Sequence, residues 1–212
     1  MEKNFLNINI SASYQKVGLA NKKTKNVWLI FHGYGQLAED FSSLFTPLIS
    51  DKNLLLFPQG LSKFYLRGVD KKIGANWMTS HDREVDIQNY LEYLDQLYER
   101  EILPVRKNVR LNILGFSQGG HTATRWINHA GIRYDKLILW GSSLAHEINE
   151  SDVYKNFRDA TNIVVLGSQD RFISKEQFTV TKKRYTKIKY EYEFMQYEGG
   201  HDIEPDILTK LI

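Results

Sequence analysis

Hydrophobic residues fall along this chain in two rhythms. Short continuous apolar runs occur at 27–31 (VWLIF), 53–57 (NLLLF), 109–114 (VRLNIL), 136–140 (KLILW) and 162–167 (NIVVLG). Runs that are continuous rather than alternating are expected of strands covered on both faces. Between them the spacing becomes helical. Over 82–103, Val85, Ile87, Tyr90, Leu91, Leu94, Leu97 and Tyr98 fall near one stripe, and Pro104 follows its end. A second helix is predicted over 118–130, ended by Gly131, and a third over 174–185 with Ser174 as its N-cap. Polar and apolar positions alternate at 7–18 (NINISASYQKVG), which predicts an antiparallel hairpin strand at one sheet edge. The stretch 190–198 (YEYEFMQYE) alternates too and suits the other edge.

Strands that alternate with helices predict an α/β architecture, a mostly parallel central sheet with helices on both faces. Sites in such sheets form at the carboxyl ends of the strands. The loops after Phe31, Phe57, Leu114, Trp140 and Gly167 should therefore share one rim. No repeat or boundary interrupts the pattern, so 1–212 is expected to be a single domain. The longest irregular stretch is 58–78; loops of that length are uncommon without a purpose.

Composition narrows the chemistry the rim can hold. The absence of cysteine excludes disulfides, thiolate catalysis and Cys-ligated zinc. A net charge of +3, with basic residues dense only at 182–189, points to no nucleic-acid partner. No apolar run suits a signal peptide or a membrane span, so a cytoplasmic location without stable membrane insertion is expected. His32, His81 and the nearby carboxylates lack a metal-ligand spacing, and no cofactor or metal is expected.

The loop after 109–114 reads GFSQGG. GFSQG fits G-x-S-x-G directly between a strand and a helix, the context of a nucleophile elbow, which would make Ser117 a nucleophile. The alternative is a tight strand-to-helix turn with Ser117 as N-cap. A serine hydroxyl needs a histidine base oriented by a carboxylate. His121 and His129 lie on the helix that follows, with His121 directed into packing; His81 and His146 read as exposed loop residues. His201, in YEGGHDIEP (197–205), follows the last edge strand, sits beside two glycines and comes last in the chain. The order Ser, acid, His places the carboxylate between 117 and 201 at a strand's carboxyl end. Asp170 meets that condition; Asp135 precedes a strand, Asp152 and Asp159 read as surface, and Asp202 adjoins His201 itself. A helix cap near Ser174 is the alternative role for Asp170. An oxyanion hole requires backbone N–H donors, expected from Gln118 and from Tyr34 in FHGYGQ (31–36), with His32 bracing that loop.

Together, FHGYGQ, GFSQGG, GSQD and GGH resemble the α/β-hydrolase superfamily, and within it the phospholipase/carboxylesterase group of small serine esterases that includes the acyl-protein thioesterases. The resemblance runs from about residue 27 to the C-terminus. It implies an α/β-hydrolase fold, Ser117 as nucleophile, Asp170 as orienting acid, His201 as base, and Tyr34 and Gln118 as backbone oxyanion donors. Trp77, in GANWM, is similar to the tryptophan that lines the acyl pocket in that group. Three positions depart from the pattern: Tyr34 replaces an aliphatic residue, Gln36 an aspartate, and Ile173-Ser174 a Val-Pro pair. They bear on the substrate pocket rather than on the triad.

About twenty residues separate Trp140 from Ile163, too few for a lid domain. The stretch 58–78 carries Phe64, Tyr65 and Trp77 beside Lys63, Arg67, Lys71 and Lys72. It reads either as a solubilising loop with a few core aromatics or as an apolar surface with a basic margin, suited to an acyl chain on an anionic carrier. The expected activity is hydrolysis of a small carboxylic ester or thioester through an acyl-enzyme intermediate. Peptide or C–C bond hydrolysis on the same triad, or an inactive binding protein of the same fold, are the alternatives. Either a monomer or a homodimer is compatible with the sequence.

Overall fold

The computed structural model describes residues 1–67 and 71–211. Its strands are β1 (Tyr14–Val17), β2 (Asn26–Phe31), β3 (Asn53–Pro58), β4 (Ser62–Tyr65), β5 (Ile73–Asn76), β6 (Arg110–Phe116), β7 (Lys136–Trp140), β8 (Thr161–Gly167) and β9 (Glu193–Tyr197). Its α-helices are α1 (Ala38–Ser42), α2 (Arg83–Leu97), α3 (Gln118–Ala130), α4 (Glu150–Asn156), α5 (Lys175–Lys187) and α6 (Pro205–Leu208). Seven strands form one sheet in the order β1-β3-β2-β6-β7-β8-β9. All neighbours are parallel except β1, which runs antiparallel to β3. The fold is that of an α/β hydrolase.

The continuous apolar runs are explained by two separate cores. Val27, Leu29, Leu111, Ile113, Leu137, Leu139 and Val164 pack on one face, against Trp126 of α3 and Tyr185 of α5. Their neighbours Trp28, Ile30, Leu114, Ile138 and Val165 pack on the other, against Phe41 of α1 and Leu208 of α6. Central strands thus carry apolar side chains on both faces, with Asn112 and Asn162 as buried polar exceptions. Register then levels the rim: Phe31 lies opposite Gly115, Phe116 opposite Trp140, and Gly167 opposite Tyr197. No helix among the described residues is long and apolar enough to cross a membrane.

Two expectations change. The alternating N-terminal stretch forms a strand only at Tyr14–Val17, and it pairs with β3 rather than in a hairpin with β2. The parallel β3 occupies the place beside β2, and β3 ends at Pro58, so Gln59 N–H to the Ser13 carbonyl (3.1 Å) is the last rung. Ile8 and Ile10 remain exposed. The stretch 58–78, expected to be irregular, contains the antiparallel pair β4 and β5; residues 68–70 within it lie outside the described residues. Gly35 N–H donates to the Ala75 carbonyl at 2.7 Å, so this hairpin is tied to the loop after β2. The long helix ends at Leu97 and continues as one wide turn, in which Leu103 N–H reaches the Tyr98 carbonyl at 2.9 Å; that turn lets Tyr98 lie on Trp126 while Ile102 stays buried.

The connection from β7 to β8 holds only a loop and α4, so no lid domain is inserted there. The loop is stapled. Arg184 of α5 donates to the carbonyls of Leu144 (3.0 Å), Ala145 (2.6 Å) and Ile148 (2.9 Å). Leu144 N–H donates to the Tyr185 hydroxyl at 2.9 Å, and Ala145 N–H to Thr124 Oγ1 at 3.1 Å. Arg184→Met keeps the length of the side chain and removes its donors. It is expected to lower the unfolding free energy by about 2 kcal/mol in denaturant titration, the cost of leaving partly buried carbonyls unpaired.

Candidate active site

Strand β6 runs into α3 through a turn too tight for ordinary residues. Ser117 holds φ +52° and ψ −121°, a region costly for any L-residue with a side chain. The turn lies so close to its neighbours that a Cβ on Gly115 would sit 2.4 Å from the Cα of Gly120, and one on Gly119 2.4 Å from the Phe31 carbonyl oxygen. Three hydrogen bonds hold the strained residue. Ser117 N–H donates to the Trp140 carbonyl (2.9 Å), while the Ser117 carbonyl accepts from Gly120 N–H (3.0 Å) and from the Ser142 hydroxyl (2.6 Å).

Asp170 and His201 come from the loops after β8 and β9. Asp170 Oδ2 lies 2.6 Å from His201 Nδ1, and both side chains are largely buried. Asp170 Oδ1 accepts from the N–H groups of Phe172 (2.8 Å) and Ile173 (3.0 Å). The carboxylate therefore closes its own loop with one oxygen and faces the imidazole with the other; it does not cap α5, whose N-cap is Ser174. The His201 loop is pinned from below, where Trp140 Nε1 donates to the Asp202 carbonyl at 2.9 Å. The imidazole packs between Phe116 and Phe172, with ring centres 4.9 and 4.8 Å away. It also fills the place of a side chain at Gly141: a Cβ there would fall 2.8 Å from His201 Cε1.

Ser117 follows β6 and His201 follows β9, with β7 and β8 between them in the sheet, and the residues around them touch above the end of β7. Phe116, which precedes the serine, touches the imidazole, and the Trp140–Gly141 peptide borders both. Among the described residues none makes a hydrogen bond to Ser117 Oγ.

The loop after β2 is built around His32, which is fully buried. Gly60 N–H donates to His32 Nε2 at 2.9 Å, so that nitrogen carries a lone pair and Nδ1 carries the proton given to the Gly33 carbonyl at 2.8 Å. Gln36 Oε1 accepts from Gly33 N–H at 2.7 Å, so an amide closes the loop where the resemblance calls for an aspartate. Trp77, expected to line an acyl pocket, is only 1% exposed; its Nε1 donates to the His32 carbonyl at 2.9 Å and its ring lies against His32. It supports the loop from beneath and offers no surface to a ligand. Gln118 ties the elbow to the same segment, accepting from Trp77 N–H (3.1 Å) and donating to the Met78 carbonyl (2.9 Å). The N–H groups of Tyr34 and Gln118 donate to no protein acceptor among the described residues. Tyr34 is exposed, with its ring 5.2 Å from Phe64 of β4. A cleft of about 540 Å³ borders this loop at Gly35 and Gln36 and runs between Phe41, Leu44, Leu66 and Ile73. Ser117, Asp170 and His201 do not line it.

Sequence reasoning passed over Ser142, which clamps the strained turn at Ser117, and Gly141, which makes room for the imidazole. The signal was a run of small residues, GSS, directly after an apolar strand.

The electrostatic surroundings are uneven. Burial holds His32 down to about 4 against its backbone hydrogen bond to Gly33. Burial, with Arg125 nearby, brings His121 to about 4 as well. Glu147 goes the other way: burial, the largest single influence, would raise it, but the hydrogen bond to Arg125, a backbone hydrogen bond and the charges of Arg125 and His146 together pull it to about 2.

With this geometry in place, comparison with known proteins is informative. Residues 12–212 match the family described as Phospholipase/Carboxylesterase. The chain belongs to that family and is a hydrolase. Acyl-protein thioesterase 2 of Zea mays superposes with TM-score 0.67 at 12% identity, over 95% of this chain and 96% of that one. The Bacillus cereus carboxylesterase gives 0.64 at 14% identity (96% and 92% covered), and a phospholipase/carboxylesterase from Dyadobacter fermentans 0.64 at 16% (95% and 94%). At such identities these structures share the fold. Sequence comparison with curated proteins finds no significant match.

The two depressed histidines make stability depend on pH. Their folded-state values lie below the ordinary 6.5, so their contribution is complete above about pH 6.5 and is lost as pH falls toward 4. Unfolding free energy is expected to fall by a few kcal/mol across that window in chemical denaturation. His121→Gln should make the slope shallower between pH 6.5 and 4.5, above the range in which Glu147 contributes; an unchanged slope would remove His121 from the account.

Proposed function

We propose that this hydrolase cleaves carboxylic esters or thioesters of small molecules, with Ser117 as nucleophile, His201 as base and Asp170 as its orienting acid. The observation that carries the reading is the 2.6 Å contact between Asp170 and His201, beside a serine held in a strained strand-to-helix turn. The carboxylate accepts a hydrogen bond from Nδ1–H, so the Nε2 lone pair is free to act. His201 takes the hydroxyl proton of Ser117 as Oγ attacks the substrate carbonyl. The C=O pair moves onto oxygen, and the oxyanion is met by the N–H groups of Tyr34 and Gln118, which have no protein acceptor among the described residues. The imidazolium then protonates the departing alcohol or thiol, leaving an acyl group on Ser117. Water, deprotonated by the same imidazole, attacks the acyl carbon; the second tetrahedral species collapses to the free acid and restores the serine proton.

The buried, bonded His32 and the buried Trp77 have a supporting part in this reading: they keep the Tyr34 loop rigid, so that its donors are aimed before charge develops. The site lies without a lid domain over it, which suits small or extended substrates.

Ser117→Ala is expected to lower kcat/KM for p-nitrophenyl butyrate by at least about 10³-fold, and to abolish labelling by a fluorophosphonate. Undiminished turnover would overturn the assignment. Gly141→Ala adds a methyl where the imidazole lies and should lower kcat at least tenfold, roughly the effect of a displaced catalytic group, while circular dichroism reports an intact fold. A panel of oxygen esters, thioesters and aminoacyl amides orders the bond types by kcat/KM.

A further inference from the structure

Solvent reaches the beginning of α3 at few places. Ser117, Gln118 and His121 keep partial exposure, while Gly119, Gly120 and the residues from Thr122 to Ile127 are buried. In the stapled loop after β7, Gly141, Ser142, Leu144 and Ala145 are buried and Ser143 is partly exposed. The exposed positions of the two segments meet: His121 Nε2 lies 3.1 Å from Ser143 Oγ. The neighbouring Ser142 is the residue that clamps the Ser117 carbonyl. His121 thus lies one helical turn along α3 from Ser117, and Ser143 directly follows the residue that holds the Ser117 carbonyl.

The pair has capacity to spare and little freedom to move. One imidazole nitrogen is engaged by Ser143; the other has no protein partner among the described residues. Ser143 Oγ donates to the Leu144 carbonyl at 3.3 Å, which leaves it to accept from the Nε2–H of His121. Arg184, Tyr185 and Thr124 hold the loop that carries Ser143. Both groups are uncharged near neutral pH, since His121 titrates at about 4, and the nearby Glu147 carboxylate is taken up by Arg125. What the pair offers is neutral hydrogen bonding, unlike the aromatic Tyr34–Phe64 surface beside the oxyanion loop.

We propose that His121 and Ser143 form a hydrogen-bonding subsite that selects esters carrying a neutral hydroxyl or amide group near the scissile bond. The proposal rests on the serine-hydrolase reading above and adds a substrate class to it. An alkyl group in that place would strip water from the pair without replacing its hydrogen bonds, whereas a hydroxyl replaces them.

The test uses isosteric esters that exchange one hydroxyl for a methyl. The alcohol side is read by 2-hydroxyethyl butanoate against propyl butanoate, the acyl side by methyl 3-hydroxypropanoate against methyl butanoate. In the native enzyme one pair should favour the hydroxylated ester by about tenfold or more in kcat/KM, the effect of a single well-placed hydrogen bond. The favoured pair identifies the side of the ester that occupies the subsite. In His121→Ala and in Ser143→Ala that ratio should fall toward unity; the serine change removes one atom and serves if the histidine variant folds poorly. Ratios near unity in the native enzyme, or ratios unmoved by both substitutions, overturn the subsite. Binding is read without turnover in Ser117→Ala protein: the His121 ring-nitrogen resonances, assigned by their loss in His121→Ala, should shift with the hydroxylated ester and not with its methyl counterpart. Equal shifts, or none, also overturn it. Ser117→Ala that retains full activity would sink the serine assignment instead, and the kcat/KM ratios of the ester pairs with their change in Ser143→Ala would still judge the subsite.

Discussion

The site depends on the close approach of one turn to two neighbouring strands. The backbone of Ser117 is strained, and the strain persists because the surroundings allow nothing else. Gly119 lies against the end of β2, Gly115 against the start of α3, and the Trp140 carbonyl and Ser142 hydroxyl of the β7 end hold the serine from the far side. Removing any of these contacts would let the turn relax and the hydroxyl sink. Parallel pairing makes this possible, since it brings the ends of β2, β6 and β7 to one level where their loops can interlock.

Rigidity is the common property of the other parts. His32 is neutral, buried and bonded through both ring nitrogens, and Trp77 hangs from its carbonyl. Asp170 spends one carboxylate oxygen on its own loop and the other on His201, while two aromatic rings set the tilt of the imidazole. In the proposed reaction these fixed dipoles would stand where water would otherwise have to reorganise as charge develops.

Much of the fold could be read from the chain. Five strands announced themselves as continuous apolar runs because each is covered on both faces, and the ends of α3 and α5 were marked by Gly131 and Ser174. The pairing of Asp170 with His201 was readable from chain order and strand ends. Other features left no such trace. Alternation predicts an edge strand but not its partner, so β1 was assigned to the wrong neighbour. The hairpin of β4 and β5 has four residues in each strand, too few for a period to emerge, and depends on its bond to Gly35. Trp77 looked like a pocket wall because a tryptophan in a loop carries no sign of which way it faces; here it faces inward. Ser142 and Ser143 differ by one position, yet one is buried beneath the Ser117 turn and the other is partly exposed, a distinction that only packing makes.

The loop after β7 has a consequence for access. With Arg184 bonded to three of its carbonyls and Tyr185 to one of its amides, that segment cannot swing as a door. The position of that loop is set by how α5 packs on the sheet, so any change that shifts α5 also moves this part of the rim.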